Sequence, residues 1–401
     1  MKMKNNPLRI WVIPSWYPPN GGSFFREHSQ ALAKEGADVT VLAGIYLSLK
    51  KTPLKYWNYK YPVQIRRKGE IKEVIRKLPI IPFVEKPNYF RWINLVTNMV
   101  KTHLESNPPP DILQVHSSIW GGTAAERISK QYNIPYVLTE HRSRFVYNTP
   151  EARKMFKSWY YPYLKSAFEQ ASRIVTVSPS LQDKIADISP EATDKMLSIP
   201  NMVDTTFFGE AREEKPQQPF RFFSLAHLEP VKGFDILLKA FAILEKNEPG
   251  KFDLVIGGDG SQMQQLLNLR KQLGLEEKVR FTGHLKRKEI RNQMGNAHAF
   301  VLPSRFEAFG VVYIEAMASG LPVIASRAGG PETFITPQTG LITEPESPEK
   351  LANAMKSLQE NYSQYDTGKI KKITSSSFGR SAIARKYLDL YREVLNHKKQ
   401  P

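Results

Sequence analysis

Two glutamates and a glycine lie close together in the second half of the chain, in a pattern that could bind an anion beside hydroxyl groups. The apolar segment 297–303 predicts a buried strand, and a helix is predicted to begin at Gly310. The first amides of a helix have no carbonyl partners within it and attract anions. Glu307 lies in the loop before this helix, and Glu315 lies about a turn and a half into it. Carboxylates accept hydrogen bonds from hydroxyls, so the pattern indicates a ligand with diphosphate and polyol parts, such as a nucleotide sugar.

Two glutamates on an exposed helix face are more often solvated, and their spacing alone leaves that alternative open. The small residues Ala316, Ala318 and Gly320 suit close packing of the predicted helix. A further loop-to-helix turn, Gly329-Gly330-Pro331-Glu332, follows the next predicted strand. These neighbours favour a binding site over a solvated face.

The preceding elements repeat one arrangement of strand, turn and helix. A strand over 220–228 is followed by Lys232 just before a helix, where a cation beside amides suits a diphosphate. A strand over 252–256 runs into Gly257-Gly258-Asp259-Gly260, and a later short strand precedes Gly283-His284-Leu285. Strands that alternate with helices in this way predict a doubly wound sheet, which binds ligands outside the carboxyl ends of its strands.

The chain opens with the same arrangement. A strand over 8–14 leads to a turn at Gly21 and Gly22, and a helix is predicted from Ser23 because serine is a good N-cap. A Gly-Gly pair alone is more often a plain turn. Its place directly after the first strand makes a ligand role as reasonable as a structural one.

Polar residues also follow two later strands of the first half. The strand over 111–115 is followed by His116, and the strand over 135–139 is followed by Glu140 and His141. The carboxyl ends of the strands are where open α/β sheets bind ligands. A lone histidine is more often structural, but two strands that each end in a histidine favour a site.

Composition limits the class of protein. The chain has 401 residues, enough for two domains, and its 41% hydrophobic and 24% charged residues are typical of a soluble globular protein. No run of eighteen uncharged apolar residues occurs, so no membrane-spanning helix is predicted. There are no cysteines, which excludes disulfides, thiolate metal sites and a cysteine nucleophile. The expected location is the cytoplasm, with possible peripheral contact on the inner face of the membrane.

The net charge of +18 is concentrated in the first half. Residues 1–200 carry 29 Lys and Arg against 16 Asp and Glu, whereas residues 201–401 carry 28 against 23. The segment of about 50–104 is basic and broken by prolines, and it predicts an insertion on the rim of the first sheet. Basic residues with aromatics suit an anionic membrane, nucleic acid favours the same composition, and a solvated basic face is the alternative. The interleaved aromatics are Tyr56, Trp57, Tyr59, Tyr61, Phe83, Tyr89, Phe90 and Trp92.

Taken together, Glu307-x7-Glu315, Phe309-Gly310 and Gly320-Leu-Pro-Val resemble the signature of the family 4 retaining glycosyltransferases of the GT-B fold. The resemblance covers nearly the whole chain and is weakest over 50–104. It implies an α/β fold with two Rossmann-like, doubly wound domains that face each other across a cleft. The implied segments are an acceptor-side domain over 1–205, a nucleotide-sugar domain over 206–378 and a C-terminal helix over 379–401 that crosses back to the first domain.

The resemblance also implies roles for individual residues. Catalytic roles fall to His116, Glu307 and Lys232, and the acceptor side is lined by His116, Glu140 and His141. An arginine usually stands five residues before the lysine, where this chain has His227; Arg305 is another candidate for the missing charge. The residues implied for donor binding are Gly22, His227, Lys232, Gly258, His284, Leu285, Glu307, Phe309, Gly310, Val311 and Glu315.

The predicted function is transfer of a sugar from a nucleoside-diphosphate sugar to a hydroxyl of a glycan or lipid-linked acceptor, in cell-surface polysaccharide or glycolipid synthesis. Retention of anomeric configuration is implied by the resemblance alone. No Asp-x-Asp occurs in the chain, so no metal or other cofactor is expected. The alternatives are a nucleotide-sugar epimerase or phosphorylase, a membrane scaffold and a basic nucleic-acid-binding protein, although no nucleic-acid partner is expected.

Overall fold

The structure is a computed structural model, and it describes residues 6–48, 61–141, 158–210 and 218–399. These residues form two compact units. Unit 1 holds the described residues up to Val177, Leu181–Ile199 and those from Ile383 onward, and unit 2 holds Ser178–Ser180 and Pro200–Ala382. The sequence predicts the corresponding boundaries at 205/206 and 378/379.

The elements of both units are numbered together in chain order. The strands are β1 Arg9–Pro14, β2 Asp38–Leu47, β3 Gln64–Lys68, β4 Ile71–Pro79, β5 Ile112–His116, β6 Tyr136–Glu140, β7 Arg173–Thr176, β8 Met196–Ser198, β9 Phe220–Leu225, β10 Phe252–Gly257, β11 Val279–Gly283, β12 Ala299–Leu302, β13 Val323–Ser326 and β14 Gly340–Thr343. The helices are α1 Ser23–Lys34, α2 Glu85–Ser106, α3 Thr123–Tyr132, α4 Tyr161–Glu169, α5 Ser180–Ala186, α6 Thr205–Gly209, α7 Phe234–Asn247, α8 Met263–Gln272, α9 Arg287–Gly295, α10 Val311–Ala318, α11 Pro348–Glu360, α12 Thr367–Phe378 and α13 Arg380–Lys399. Among the helices described, none is long and apolar enough to cross a membrane.

Unit 1 is built on an eight-stranded sheet in the order β3-β4-β2-β1-β5-β6-β7-β8. Every neighbouring pair is parallel except β3 and β4. All residues of β5 and β6 are buried, as expected for parallel strands covered by helices on both faces. All residues of the edge strand β3 are exposed, and its charged sequence QIRRK blunts that edge.

The segment that follows residue 60, which the sequence predicts as an insertion on the rim of the sheet, supplies its edge strand β3 and the neighbouring strand β4. Strand β4 pairs in parallel with β2, and β3 folds back on β4 as a hairpin. Helix α2 begins at Glu85 and buries Tyr89 and Trp92, whose rings are 1% and 0% exposed. These two aromatics belong to the core because they lie on the inner face of a crossover helix. Tyr56, Trp57 and Tyr59 lie outside the described residues.

Unit 2 is built on a six-stranded, wholly parallel sheet in the order β11-β10-β9-β12-β13-β14. The strand order reverses direction between β9 and β12, which is the arrangement of a doubly wound sheet. The sequence predicts five of its strands and misses the short edge strand β14. Its neighbours β12 and β13 are fully buried, and they carry the predicted glutamate segment between them.

Helix α13, Arg380–Lys399, corresponds to the C-terminal helix that the sequence predicts over 379–401. Helix α12 ends at Phe378, and α13 begins after Gly379, where a Cβ atom would lie 2.4 Å from the carbonyl oxygen of Ser375. Most of α13 belongs to unit 1. There the hydroxyl of Tyr391 donates to Oε1 of Gln114 at 2.5 Å, which joins α13 to β5.

Candidate active site

In unit 2, the loops after β9, β10, β12 and β13 lie at the carboxyl edge of the sheet and are joined to one another. The amide of Arg305 donates to the carbonyl of Val231 at 2.8 Å, and the amide of Glu307 donates to the carbonyl of Ala328 at 2.9 Å. Gly233 lies so close to the β12 loop that a Cβ atom would be 2.0 Å from the carbonyl oxygen of Pro303. This network fixes the loops that carry the predicted donor residues.

Lys232 and Glu307 form an ion pair within this network. The Nζ atom of Lys232 lies 2.5 Å from Oε2 of Glu307, and the two side chains are 20% and 12% exposed. Lys232 closes a short 3-10 turn after β9, and Glu307 lies in the loop between β12 and α10. The structure therefore brings together two residues that are 75 positions apart in the sequence.

The turn before α10 requires glycine at position 310. Gly310 has φ 89° and ψ 67°, and a Cβ atom there would lie 2.5 Å from Cδ2 of Tyr313. Helix α10 begins at Val311, which is 37% exposed, and Glu315 is half-buried on the same helix. The predicted helix start is thus in place, with solvent access at its first residue.

The side chain of Phe309, directly before Gly310, is buried. Its ring is 2% exposed and packs against the ring of Phe334 with 4.8 Å between centroids. The predicted donor contact of Phe309 would therefore have to come from its backbone, because its side chain is part of the core.

Arg305 holds the loop and is unsuited to the alternative role of diphosphate clamp. Its guanidinium donates to both carboxylate oxygens of Asp235 at 2.9 Å, and it also bonds Glu346 and the carbonyl of Pro230. Burial acts to raise the pKa of Asp235, but the hydrogen bonds and charge of Arg305 outweigh it and lower that pKa. Both partners are thus ionised in a contact that joins the loop after β12 to the start of α7.

The second glycine turn, at Gly329 and Gly330 after β13, already binds a carboxylate of the protein itself. The carboxylate of Glu332 accepts hydrogen bonds from the amide of Ala328 at 3.2 Å and from the amide of Gly329 at 2.9 Å. A carboxylate in this position occupies the amides that would otherwise attract a ligand. This turn differs in that respect from the turn at Gly310.

The remaining predicted donor residues lie on neighbouring loops. His227 is exposed, with Nδ1 3.4 Å from the carbonyl oxygen of Asp259. Gly258 has φ 120°, and a Cβ atom there would lie 1.9 Å from the carbonyl oxygen of Ala226. His284 is exposed and Leu285 half-buried in the loop after β11.

In unit 1, Glu140 lies at the carboxyl end of β6 and is fully buried. Its carboxylate accepts hydrogen bonds from the hydroxyl of Ser117 at 2.9 Å, the amide of Ser118 at 2.9 Å, the hydroxyl of Ser118 at 2.7 Å and the amide of His141 at 2.9 Å. Ser117 has φ 70°, an uncommon value for a residue other than glycine. Glu140 therefore organises the turn after β5 from within.

Three histidines form a chain of ring contacts beside Glu140. The distance from Nδ1 of His28 to Nε2 of His116 is 3.2 Å, and the distance from Nδ1 of His116 to Nε2 of His141 is 3.1 Å. His28 and His116 are 5% and 1% exposed, whereas His141 is half-buried. The sequence predicts His116 and His141 as neighbours, and the structure adds His28 from α1.

Burial keeps the inner two imidazoles neutral. It lowers the pKa of His28 to about 3, with a further contribution from His141. Burial likewise places the pKa of His116 well below its ordinary value, helped by the adjacent His28 and His141. Phe25 covers the ring of His116, with centroids 4.4 Å apart and an interplanar angle of 18°.

Gly22 sets the start of α1 and so places Phe25 and His28. It has φ 73°, and a Cβ atom there would lie 2.7 Å from the carbonyl oxygen of Trp16. The predicted N-cap Ser23 is instead the first residue of the helix, and Gly22 is the cap. Its ligand role stays a prediction, but its backbone conformation explains why glycine stands there.

Two family models match the chain in succession. The model described as Glycosyltransferase Family 4 matches residues 21–207, and the model described as Glycosyl transferases group 1 matches residues 208–372. The chain belongs to the family 4 glycosyltransferases. Among curated relatives of this glycosyltransferase, the glycogen synthase of Mycobacterium tuberculosis is 24% identical over 416 residues, which cover 98% of this chain and 97% of the relative.

Solved structures show which fold this glycosyltransferase adopts. The sucrose-phosphate synthase of Thermosynechococcus elongatus superposes with a TM-score of 0.75 at 20% identity, over 97% of this chain and 100% of the other. Anabaena Alr3699/HepE in complex with UDP gives a TM-score of 0.70 at 20% identity, over 96% and 100%. The predicted fold, GT-B with two doubly wound α/β domains, is confirmed.

Sequence reasoning missed two features of this glycosyltransferase. His28 went unnoticed because it stands alone in a helix, although Phe25, His28 and Leu32 are spaced three and four apart on the buried face of α1. A histidine on that face was the available signal. The Arg305 and Asp235 pair gave no local signal, since 70 residues separate its members.

Proposed function

We propose that this glycosyltransferase transfers a sugar from a nucleoside-diphosphate sugar to a hydroxyl of a glycan or lipid-linked acceptor, with retention of anomeric configuration. The observation that carries the proposal is the position of the Lys232 and Glu307 pair beside the turn at Gly310. A cation, free helix amides and a carboxylate in one network suit a ligand with both phosphate and hydroxyl groups.

In the proposed donor complex, the diphosphate competes with Glu307 for Lys232. The ammonium group and the amides of Gly310 and Val311 then stabilise the negative charge that develops on the leaving phosphate. Glu307, released from the lysine, accepts hydrogen bonds from the sugar hydroxyls. Glu315, on the helix that starts at this turn, accepts hydrogen bonds from the ribose. No metal ion is required in this arrangement.

The proposed transfer takes place on one face of the sugar. The bond from the anomeric carbon to the phosphate oxygen breaks, the bond to the acceptor oxygen forms on the same face, and the acceptor proton passes to the leaving phosphate. The family resemblance of the Glu307-x7-Glu315 segment supports this proposal.

The names of similar proteins support the substrate classes. The Anabaena protein binds UDP, one relative is named as a synthase of glycogen, and one structural neighbour is named as a synthase of sucrose phosphate. These names favour a nucleoside diphosphate leaving group and a carbohydrate acceptor.

Contact with an anionic membrane is part of the proposal and rests on one exposed patch of unit 1. Phe83 is fully exposed and has φ 63°, and Val84 and Tyr161 are 37% and 43% exposed. Lys86 lies with its Nζ 5.9 Å from the centre of the Trp159 ring. Apolar and aromatic groups beside basic residues suit the headgroup region of an anionic bilayer.

The membrane contact is tested by sedimentation with vesicles. Wild-type protein is expected to sediment with vesicles of phosphatidylglycerol more than with vesicles of phosphatidylcholine, and Phe83→Asp is expected to reduce that difference. Phe306→Asp, in unit 2, is the control because Phe306 is also exposed, at 36%. Equal sedimentation of wild type and Phe83→Asp would remove the membrane from the proposal.

The donor is tested by thermal unfolding with UDP, GDP, ADP and their glucose esters. A ligand at about one hundred times its Kd stabilises the folded state by about 2.7 kcal/mol, which is readily measured. One nucleotide series is expected to raise the Tm, and EDTA is expected to leave the increase unchanged. Absence of any increase at millimolar concentration would contradict the proposal. With the stabilising donor, NMR of the product then reports whether anomeric configuration is retained.

A further inference from the structure

His28 lies at the inner end of the histidine chain. It is 5% exposed, its Nδ1 atom contacts His116, and its ring packs edge-on against Tyr387 of α13 with 4.4 Å between centroids. The described residues offer its buried Nε2 atom no hydrogen-bond partner. A buried polar atom without a partner is costly, so its presence calls for a physical reason.

The two contacts among the three histidine rings require that both hydrogen bonds run in the same direction. Each contact needs an N–H group on one ring and a lone pair on the other, and a neutral imidazole carries one of each. If His28 donates from Nδ1 to His116, then His116 must donate from Nδ1 to His141. If the direction is reversed, all three protons move to the Nε2 atoms. The tautomer of each ring is therefore set by its neighbour.

The partnerless Nε2 of His28 favours the first direction. In that direction the buried atom is a lone pair, and in the other direction it is an N–H group. Buried N–H groups without an acceptor are rarer than buried acceptors without a donor. A contact between an N–H group and the face of the Tyr387 ring would be a weak substitute.

His141 is the most exposed of the three histidines. Both ring nitrogens of His116 are occupied by the other two histidines, and Phe25 covers its face. A substrate hydroxyl that approaches this edge would therefore meet His141 first. The tautomer of His116 in turn decides whether His141 receives or donates the hydrogen bond between these two rings.

We propose that His28 is a positioning residue. Through its contact with His116 it fixes the tautomer of His116, and thereby whether His116 donates or accepts in its contact with His141 on the predicted acceptor side. This inference rests on the proposed sugar transfer for its purpose, but the tautomers themselves can be measured without any substrate.

The test combines NMR of the full chain, labelled with 15N in its histidines, with three variants. His28→Leu removes the partner of His116, and His28→Asn keeps an amide donor near the position of Nδ1. His103→Leu is the matched control, because His103 is also buried in unit 1 but is not one of the three histidines in contact. Its ring lies 5.0 Å from the Trp11 ring, centroid to centroid. If the Leu variant does not fold, the wild-type tautomers still decide the outcome, since Nε2–H signals from His28 and His116 would overturn the inference.

In the wild type, His28 and His116 are expected to give the signals of the Nδ1–H tautomer. His28→Leu is expected to change the tautomer of His116, whereas His28→Asn and His103→Leu leave it unchanged. An unchanged His116 in His28→Leu, or a changed His116 in His28→Asn, would overturn the inference.

Kinetics provide the second readout. Turnover of UDP-, GDP- and ADP-glucose is expected to show a kcat lowered at least about tenfold in His28→Leu at an unchanged donor KM, with recovery in His28→Asn. Equal losses in both variants would mean a purely structural role and overturn the inference. If no donor is turned over by the wild type, the proposed function fails, while the tautomers measured by NMR still decide the role of His28.

Discussion

The two sheets of this glycosyltransferase present different chemistry at the same topological position. At the carboxyl edge of the unit 2 sheet, Lys232 and Glu307 form a partly exposed ion pair in a network of loops. At the carboxyl edge of the unit 1 sheet, the buried carboxylate of Glu140 accepts hydrogen bonds from Ser117, Ser118 and His141, beside a chain of histidines whose inner two rings are neutral. Parallel topology fixes where ligands bind, and the side chains fix which ligands they are.

The difference in charge separates the two halves of the proposed reaction. A diphosphate needs cations and amides, which the unit 2 edge supplies, whereas neutral imidazoles exchange hydrogen bonds with hydroxyls without attracting a phosphate. Burial lowers the pKa of His28 and His116, and the neutral rings keep the carboxyl edge of the unit 1 sheet from competing for the donor's phosphates. The following variants would break or sharpen this comparison.

The largest effect is expected from Lys232→Met. Removal of the ammonium group takes away a charge-assisted contact with the diphosphate, and the expected loss of affinity for the stabilising nucleotide is about 100-fold, or about 2.7 kcal/mol. Isothermal titration calorimetry measures it. Lys239→Met is the matched control, because Lys239 is an exposed lysine on α7. Equal affinity in both variants would show that the unit 2 edge does not use this charge.

Glu140→Gln tests the carboxyl edge of the unit 1 sheet. The new amide group would face hydroxyl and amide donors, so we expect the free energy of unfolding to fall by about 1–3 kcal/mol and sugar transfer to weaken. Nucleotide affinity is expected to remain that of the wild type, since the donor residues other than Gly22 lie in unit 2. Glu105→Gln, at an exposed position of α2, is the control. A loss of nucleotide affinity would argue that the two edges do not act separately.

Gly310→Ala tests the turn before α10. Nucleotide affinity is expected to fall about tenfold, because the Cβ atom would lie 2.5 Å from the Tyr313 ring and displace the first amides of the helix. Gly274→Ala separates this clash from backbone strain, since Gly274 has φ +66° with no atom of the described residues within 4 Å of its Cβ position. Similar losses of affinity in both variants would contradict a role for the Gly310 turn.

Sequence alone predicted the parts of both edges that are local. The strand, glycine turn and helix at Gly310 could be predicted because left-handed backbone and free amides depend on a few adjacent residues. The hairpin β3–β4 could not, because its charged edge strand lacks the apolar alternation of a half-buried strand. The partners of His28 and Arg305 could not be predicted either, since they are fixed by packing between residues 88 and 70 positions apart.

A smaller effect on binding is expected from Arg305→Met, which removes the ion pair between Arg305 and Asp235 beside the site. We expect the free energy of unfolding at pH 7 to fall by about 1–3 kcal/mol and nucleotide affinity to fall about threefold. The pKa of Asp235 is lowered in the folded state, so the stability that this pair contributes is present above the ordinary pKa of Asp235 and is lost as pH falls through the lowered value. Urea unfolding at pH 7 and pH 3 measures both values.

The assignment of Arg305 to a structural ion pair with Asp235 would be contradicted if Arg305→Met lowered the free energy of unfolding equally at pH 7 and pH 3. A loss of affinity as large as that of Lys232→Met would make Arg305 a phosphate ligand after all. That loss of affinity would mean that two cationic side chains, Lys232 and Arg305, contact the diphosphate at the unit 2 edge.

The smallest effect is expected at His227, where the resembled enzymes usually carry arginine. His227 is exposed and lies 3.4 Å from the carbonyl oxygen of Asp259, so any contact it makes with a phosphate competes with water. His227→Ala is therefore expected to change nucleotide affinity less than about twofold. His227→Arg is expected to tighten binding about threefold at low salt, because a guanidinium can bond two phosphate oxygens at once, and this gain should shrink at high salt. A large loss in His227→Ala would instead show that the imidazole is itself part of the diphosphate site. Titration of both variants therefore decides whether the unit 2 edge binds the diphosphate with the side chain of Lys232 alone or with two side chains.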